Sequence, residues 1–273
     1  MTHPLSLHHV TVMDVGPAEL VSIAAELGCH HVCLFTRVDP EALQLFPCAW
    51  DSATLREVAQ RCAETGVSAH SLEYFDVYPD SDLDSYRQGL GIGAQLGARC
   101  ATTHVKDSEP QRAADNFARF CDIAAEYGIS PAIEFTELAG PGTLGAARKI
   151  VESANRVNGG IALDTLHLFR SGGTVDDIAK LNPQLIKSVQ MSDGPMRLKN
   201  VNEYFNEAVF ERQVPGEGEF PLRELARFFP PGMVIDIEVP MKSQLNRGLS
   251  ALQRARLAVE GARRVLRDPI ERD

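Results

Sequence analysis

Two stretches of the chain, AIEFTEL (132–138) and VIDIEVP (234–240), run through apolar residues and then stop on a glutamate, Glu134 in the first and Glu238 in the second. A carboxylate at an inward position of a buried strand is costly unless a cation or a hydrogen-bond donor meets it. Similar interruptions recur: Glu73 in SLEYF, His104 and Lys106 in TTHVKD, Asp164 and His167 in LDTLHL, and Gln190 in SVQMSD. If Glu134, Asp164 and Glu238 met, each close pair would repel by roughly several kcal/mol and take up protons. A divalent cation removes that conflict, and Gln190 adds a fourth, neutral oxygen. An all-oxygen donor set favours a hard ion, Mn2+ or Mg2+, over zinc. A metal chelated by a carbonyl and its neighbouring hydroxyl would acidify the adjacent C–H, so that a nearby glutamate can remove the proton.

Such a constellation needs elements that end together. Strand-like runs are expected at 5–12, 31–36, 67–74, 98–105, 130–136, 160–166, 186–191 and 234–239, with amphipathic segments such as TLREVAQRCAETG between them. Gly28, Gly66, Gly97 and Gly128 stand where helices would close on a left-handed residue. Strands alternating with helices at this spacing imply parallel βα units, and eight of them close into a single (β/α)8 TIM barrel spanning 1–273 as one domain. An open doubly wound sheet would show a glycine fingerprint after its first strand, and VTVMDVGPAEL has none. In a barrel the carboxyl ends of all strands face one mouth. Two long connections would lie over it: residues 37–54, with Leu43, Leu45, Phe46 and the single tryptophan Trp50, and residues 193–218.

The bulk numbers exclude several classes. In 273 residues, 44% are hydrophobic and 23% charged, which suits a folded core. A net charge of −10 argues against nucleic acid or an anionic membrane as partner. No run reaches membrane-span length and MTHPLSLHHV lacks a secretory pattern, so a cytoplasmic location is expected. Six cysteines sit mostly in apolar stretches and read as packed, reduced thiols; CHHVC would put Cys29, His31 and Cys33 on one strand face, but no second cluster completes a zinc site. Of His8 and His9, alternation sends one inward, read as a packed core histidine.

The motifs AIEF, LDTLH, VQMSD and RQVPGEGEF followed by IEVP resemble those of strands 5 to 8 in the xylose isomerase-like TIM-barrel superfamily, the sugar phosphate isomerase/epimerase group. The resemblance covers about residues 131–240 and implies one catalytic divalent metal on Glu134, Asp164, Gln190 and Glu238. It implies substrate-binding roles for His167 and Arg212, and an acid–base pair in Glu134 and Glu238. His104, Glu73 and Lys106 are further candidates for substrate contacts. Gln190 stands where the ketohexose epimerases of the group have histidine, and instead resembles the hydroxypyruvate isomerase or dehydroshikimate dehydratase arrangement. The expected activity is a metal-dependent isomerase or epimerase acting on a hydroxylated carbonyl compound through an enediolate. The alternative is a dehydratase of a cyclic substrate of the 3-dehydroshikimate or keto-inositol type. A non-catalytic subunit or an abasic-DNA endonuclease ranks lower. The partner is a small molecule, and homo-oligomers are common among such barrels.

Overall fold

The computed structural model describes residues 3–37, 50–198 and 203–267. Eight parallel strands close in sequential order: β1 Leu5–His8, β2 His31–Phe35, β3 Ser68–Val77, β4 Cys100–Val105, β5 Ser130–Glu134, β6 Gly160–Asp164, β7 Ile186–Met191 and β8 Ile235–Ile237. The β8–β1 pairing, Ser6 beside Asp236, seals the ring. This is a (β/α)8 barrel, as the alternation of patterns required.

The outer layer carries α1 Pro17–Glu26, α2 Ser52–Thr65, α3 Arg87–Gln95, α4 Pro110–Ala125, α5 Leu144–Ala154, the short α6 Thr165–Arg170 and α7 Val175–Ala179, α8 Glu203–Phe210, α9 Leu222–Leu225, α10 Lys242–Asn246 and α11 Ala251–Arg267. Helix starts are capped by side chains: Asp51 accepts from the N–H groups of Ala53 and Thr54, and Thr143 from that of Ala146. The four glycines expected at helix ends all have positive φ, between 66° and 94°. The apolar core fills the space between barrel and helices, for example Phe75, Phe117 and Phe120.

Several strands differ in length from the sequence reading. Strand β1 stops at His8, because the His8 ring accepts the Val10 N–H and turns 9–12 into a 3-10 helix. Strand β6 stops at Asp164, whose carboxylate caps α6. Strand β3 runs on to Val77 through a register shift between Leu72 and Phe75. Inside the barrel small residues replace the usual bulky filling: Ser6, Ser71, Ala132, Ala162 and Ser188 are all buried, and Ser71 Oγ reaches across to Asp236.

Candidate active site

The strand ends do meet. One pocket at the carboxyl end of the barrel is lined by His8, Glu73, His104, Glu134, Gln190 and Glu238, with His167 and Arg212 closing it, and Asp164 lies fully buried behind them. Asp164 accepts the N–H groups of Leu166 (2.6 Å) and His167 (3.3 Å), so the strand-to-helix turn delivers His167 to the site. His167 Nε2 then lies 3.8 Å from both Glu134 Oε2 and Asp164 Oδ2. The Tyr204 hydroxyl on α8 fixes the other face of that ring, 2.6 Å from His167 Nδ1 and 2.9 Å from Thr136 Oγ1.

Arg212 answers part of the carboxylate problem. Its guanidinium bridges Asp164 Oδ2 and Glu238 Oε1, each at 2.6 Å, in a buried position. Burial opposes its charge, but the two carboxylates hold it above the ordinary arginine range. A surface pairing with Glu211 or Glu217 is not made: Glu211 accepts from Ser243 and Glu217 faces Arg264. The placement comes from the 193–218 connection. Asp193 accepts the N–H groups of Gly216 (2.8 Å) and Phe220 (3.0 Å), and its backbone pairs with Gln213, so the PGEGEF turn is knotted onto the end of β7.

On the opposite side His104 stands between two carboxylates, with Nδ1 2.9 Å from Asp76 Oδ1 and Nε2 2.8 Å from Glu134 Oε2. Burial works against its charge, yet these partners raise it to about 10, so it is an imidazolium at neutral pH. Burial would lift Glu134, but the groups facing it, with His104 donating directly, draw it down to about 2. Lys106 Nζ completes the cluster at the rim, 2.5 Å from Asp76 Oδ2. Glu238 behaves in the opposite sense to Glu134: burial pushes it up to about 8, against the pull of Arg212.

Three participants escaped the sequence reading. His8 is not packed in the core; it lines the pocket, 3.2 Å from Glu73 Oε1 and 3.7 Å from Glu238 Oε2. Its position at the carboxyl end of β1 was the available signal. Asp76 turns inward only because of the register shift in β3, which pairs it with His104, and Tyr204 arrives on a helix of the long connection. Of the 37–54 connection, Leu43, Leu45 and Phe46 lie outside the described residues. Trp50 donates its indole N–H to the Phe35 carbonyl at 2.6 Å, and among the described residues Phe35, Tyr74, Leu138, Phe205 and Val209 supply apolar lining.

The donor set fits a divalent cation. Five carboxyl groups (Glu73, Asp76, Glu134, Asp164 and Glu238) gather around three basic groups, His104, Lys106 and Arg212, with His8 and His167 beside them. Gln190 Oε1 and Glu238 Oε2, two acceptor oxygens from neighbouring strands, are buried without a hydrogen-bond partner. Uncompensated buried acceptors of this kind call for a cation or a donor. Glu134, Asp164 and His167 offer ligand atoms within 4.8 Å of one another, so His167 too stands within reach.

The chain belongs to the xylose isomerase-like TIM barrel family, whose model (AP endonuclease 2 group) matches residues 21–267. Over 232 residues it is 29% identical to a 3-dehydroshikimate dehydratase of Pseudomonas aeruginosa, covering 77% of this chain and 34% of that protein. The chain thus spans about a third of the length of the curated relative it matches. Among solved structures it resembles the zinc-binding IolI protein, with TM-score 0.77, 17% identity and coverage of 98% and 100% of the two chains. It also resembles a D-psicose 3-epimerase, with TM-score 0.70, 15% identity and coverage of 97% and 99%.

Proposed function

We propose that this protein is a divalent-cation-dependent enzyme that removes the proton next to a carbonyl group, and that its reaction is loss of water from a hydroxylated cyclic keto acid of the 3-dehydroshikimate type. The observation that carries the reading is the meeting of Glu134, Gln190 and Glu238 at one pocket, with Asp164 buried behind them and one oxygen each of Gln190 and Glu238 left without a partner. These four residues would hold the cation, which when bound polarises the carbonyl and an adjacent hydroxyl and so acidifies the C–H on the carbon next to the carbonyl. The dehydratase relative and the presence of Gln190 support elimination, and the apolar walls of Phe35, Leu138, Phe205 and Val209 suit the face of a ring.

The side chains supply both proton transfers. Glu134, held as a carboxylate, takes the proton from the carbon next to the carbonyl. The His104 imidazolium gives its Nε2 proton to the hydroxyl leaving the next carbon, which departs as water. The proton on Glu134 then crosses the 2.8 Å hydrogen bond to His104, and both groups return to their starting state. Atoms balance as one water per substrate, and in a cyclohexene keto acid the ring left behind becomes aromatic. Arg212 and His167 hold the substrate oxygens as negative charge develops.

The test separates the two transfers. With manganese and 3-dehydroshikimate, His104→Gln is expected to keep exchange of the substrate C–H with heavy water while aromatic product falls by about a hundredfold or more. Glu134→Gln is expected to lose both. Exchange and product lost equally in His104→Gln would show that His104 is not the acid. The carboxylates of Glu134 and Glu238, at the carboxyl ends of β5 and β8, support a second reading, epimerisation between two bases. A ketohexose inverted at one carbon, with the cyclic acid untouched, would select it.

A further inference from the structure

Beside the two partnerless oxygens lies a polar cluster that the proposed reaction does not use. His8, Cys33 and Glu73 are all buried and bring their nitrogen, sulfur and oxygen atoms within 4.8 Å of one another. Glu73 Oε1 lies 3.1 Å from Gln190 Nε2, 3.2 Å from His8 Nε2 and 3.9 Å from Cys33 Sγ. Three donors therefore converge on one carboxylate oxygen.

The hydrogen on His8 is placed by its other nitrogen. The Val10 N–H donates to His8 Nδ1 at 3.1 Å, so Nδ1 presents a lone pair and the hydrogen sits on Nε2. Desolvation opposes a charge on this ring, while Cys33, Glu238 and Glu73 raise it well above the ordinary histidine range. The Val10 N–H, aimed at Nδ1, still leaves that nitrogen no space for a proton. His8 Nε2 is accordingly a donor and not a metal ligand, and burial holds Cys33 as a thiol. The trio is a hydrogen-bonded floor, not a second metal centre.

That floor settles which way the Gln190 amide faces. Turned end for end, its carbonyl oxygen would oppose the Glu73 carboxylate and its NH2 would face the cation, an acceptor against an acceptor and a donor against a metal. We propose that Glu73 is a positioning residue that directs Gln190 Oε1 into the cation site, and that the same oxygen anchors the His8 N–H beside Glu238. This makes Glu73 the support of a cation ligand instead of the substrate contact its sequence position suggested. The inference rests on the cation reading above.

Manganese binding to the ion-stripped protein, followed by the spin resonance of free Mn2+, tests it without turnover. Glu73→Gln keeps an acceptor oxygen for Gln190, with its own NH2 free to turn to Thr102, which already bonds Glu73. It should bind within about threefold of wild type, whereas Glu73→Met should lose about 10–100-fold, as supporting partners of metal ligands do. Glu73→Met binding as tightly as wild type overturns the inference. So does Glu73→Gln that binds manganese normally but has lost substrate C–H exchange, since that marks a base. Should Glu73→Met not fold, nitrogen-15 shifts of His8 in the wild type decide: hydrogen on Nε2 is expected, and hydrogen on Nδ1 overturns it. Wild type that takes up no divalent ion overturns the cation reading and this inference together, an outcome distinct from the others.

Discussion

Asp76 shows how much one carboxylate can organise. It holds His104 by Nδ1 and Lys106 by Nζ, and these two cations draw it down to about 2 despite its burial. Asp76→Asn removes the charge that keeps His104 protonated and oriented. We expect kcat to fall about a hundredfold or more with KM changed far less, read from initial rates across pH, while the thermal midpoint moves only modestly. Glu238→Gln is expected to cut turnover by several orders of magnitude and leave the far-ultraviolet circular dichroism intact, because its carboxylate serves the cation and Arg212 more than the fold. At this scale much of the site could be read directly. Glu134, Asp164, His167, Gln190 and Glu238 announce themselves as polar residues at the ends of apolar strands. Asp76 does not, because its inward turn depends on a register shift with no mark in residue type. His8 was visible but ambiguous, since a histidine ending a short strand suits a core position as well as a pocket.

Elements decide where those residues point. The connection after β7 matters because Arg212 leaves it to enter the barrel, and its shape depends on Asp193. A Cβ on Gly218 would lie 2.3 Å from Asp193 Oδ1 and 2.6 Å from the Gly194 nitrogen, so no side chain fits there. Gly218→Ala should therefore destabilise the protein by about 1–3 kcal/mol, measured by denaturant unfolding. It should also raise KM, because Arg212 loses its fixed approach to Asp164 and Glu238. Strand–helix alternation and the capping glycines made the barrel legible in the sequence. Strand lengths were less so, because β1 and β6 are ended by side-chain caps from His8 and Asp164 that propensity does not register.

The whole molecule responds to ions and to acid. A cation that binds only the folded state stabilises it by mass action, so manganese at about a hundred times its dissociation constant should add about 2.7 kcal/mol, seen as a raised thermal midpoint that a chelator reverses. Acid acts in part through His9, a buried ring whose Nε2 lies 2.9 Å from the Val15 carbonyl. Burial lowers this ring to about 4, below its ordinary 6.5. The unfolded chain therefore takes up this proton first: the His9 contribution to stability is complete above about pH 6.5 and is lost as pH falls towards 4, by up to about 3 kcal/mol. Unfolding free energies at pH 7, 5.5 and 4.5 should show this slope, and His9→Asn should make it shallower, with His31, which burial also lowers to about 4, retaining its share.

The indole of Trp50, bonded to the carbonyl of Phe35, brings the chain back to the point where it left the second strand. Phe35 and Trp50, on the two sides of residues 38–49, are thereby held together like two rivets. Sequences of other lengths and compositions can be spliced between those rivets without disturbing the ring of strands, since lengthening such a span adds only a slowly growing entropic penalty. Exchanging this stretch between relatives, with Trp50 retained, should leave the proton chemistry of the site as it is.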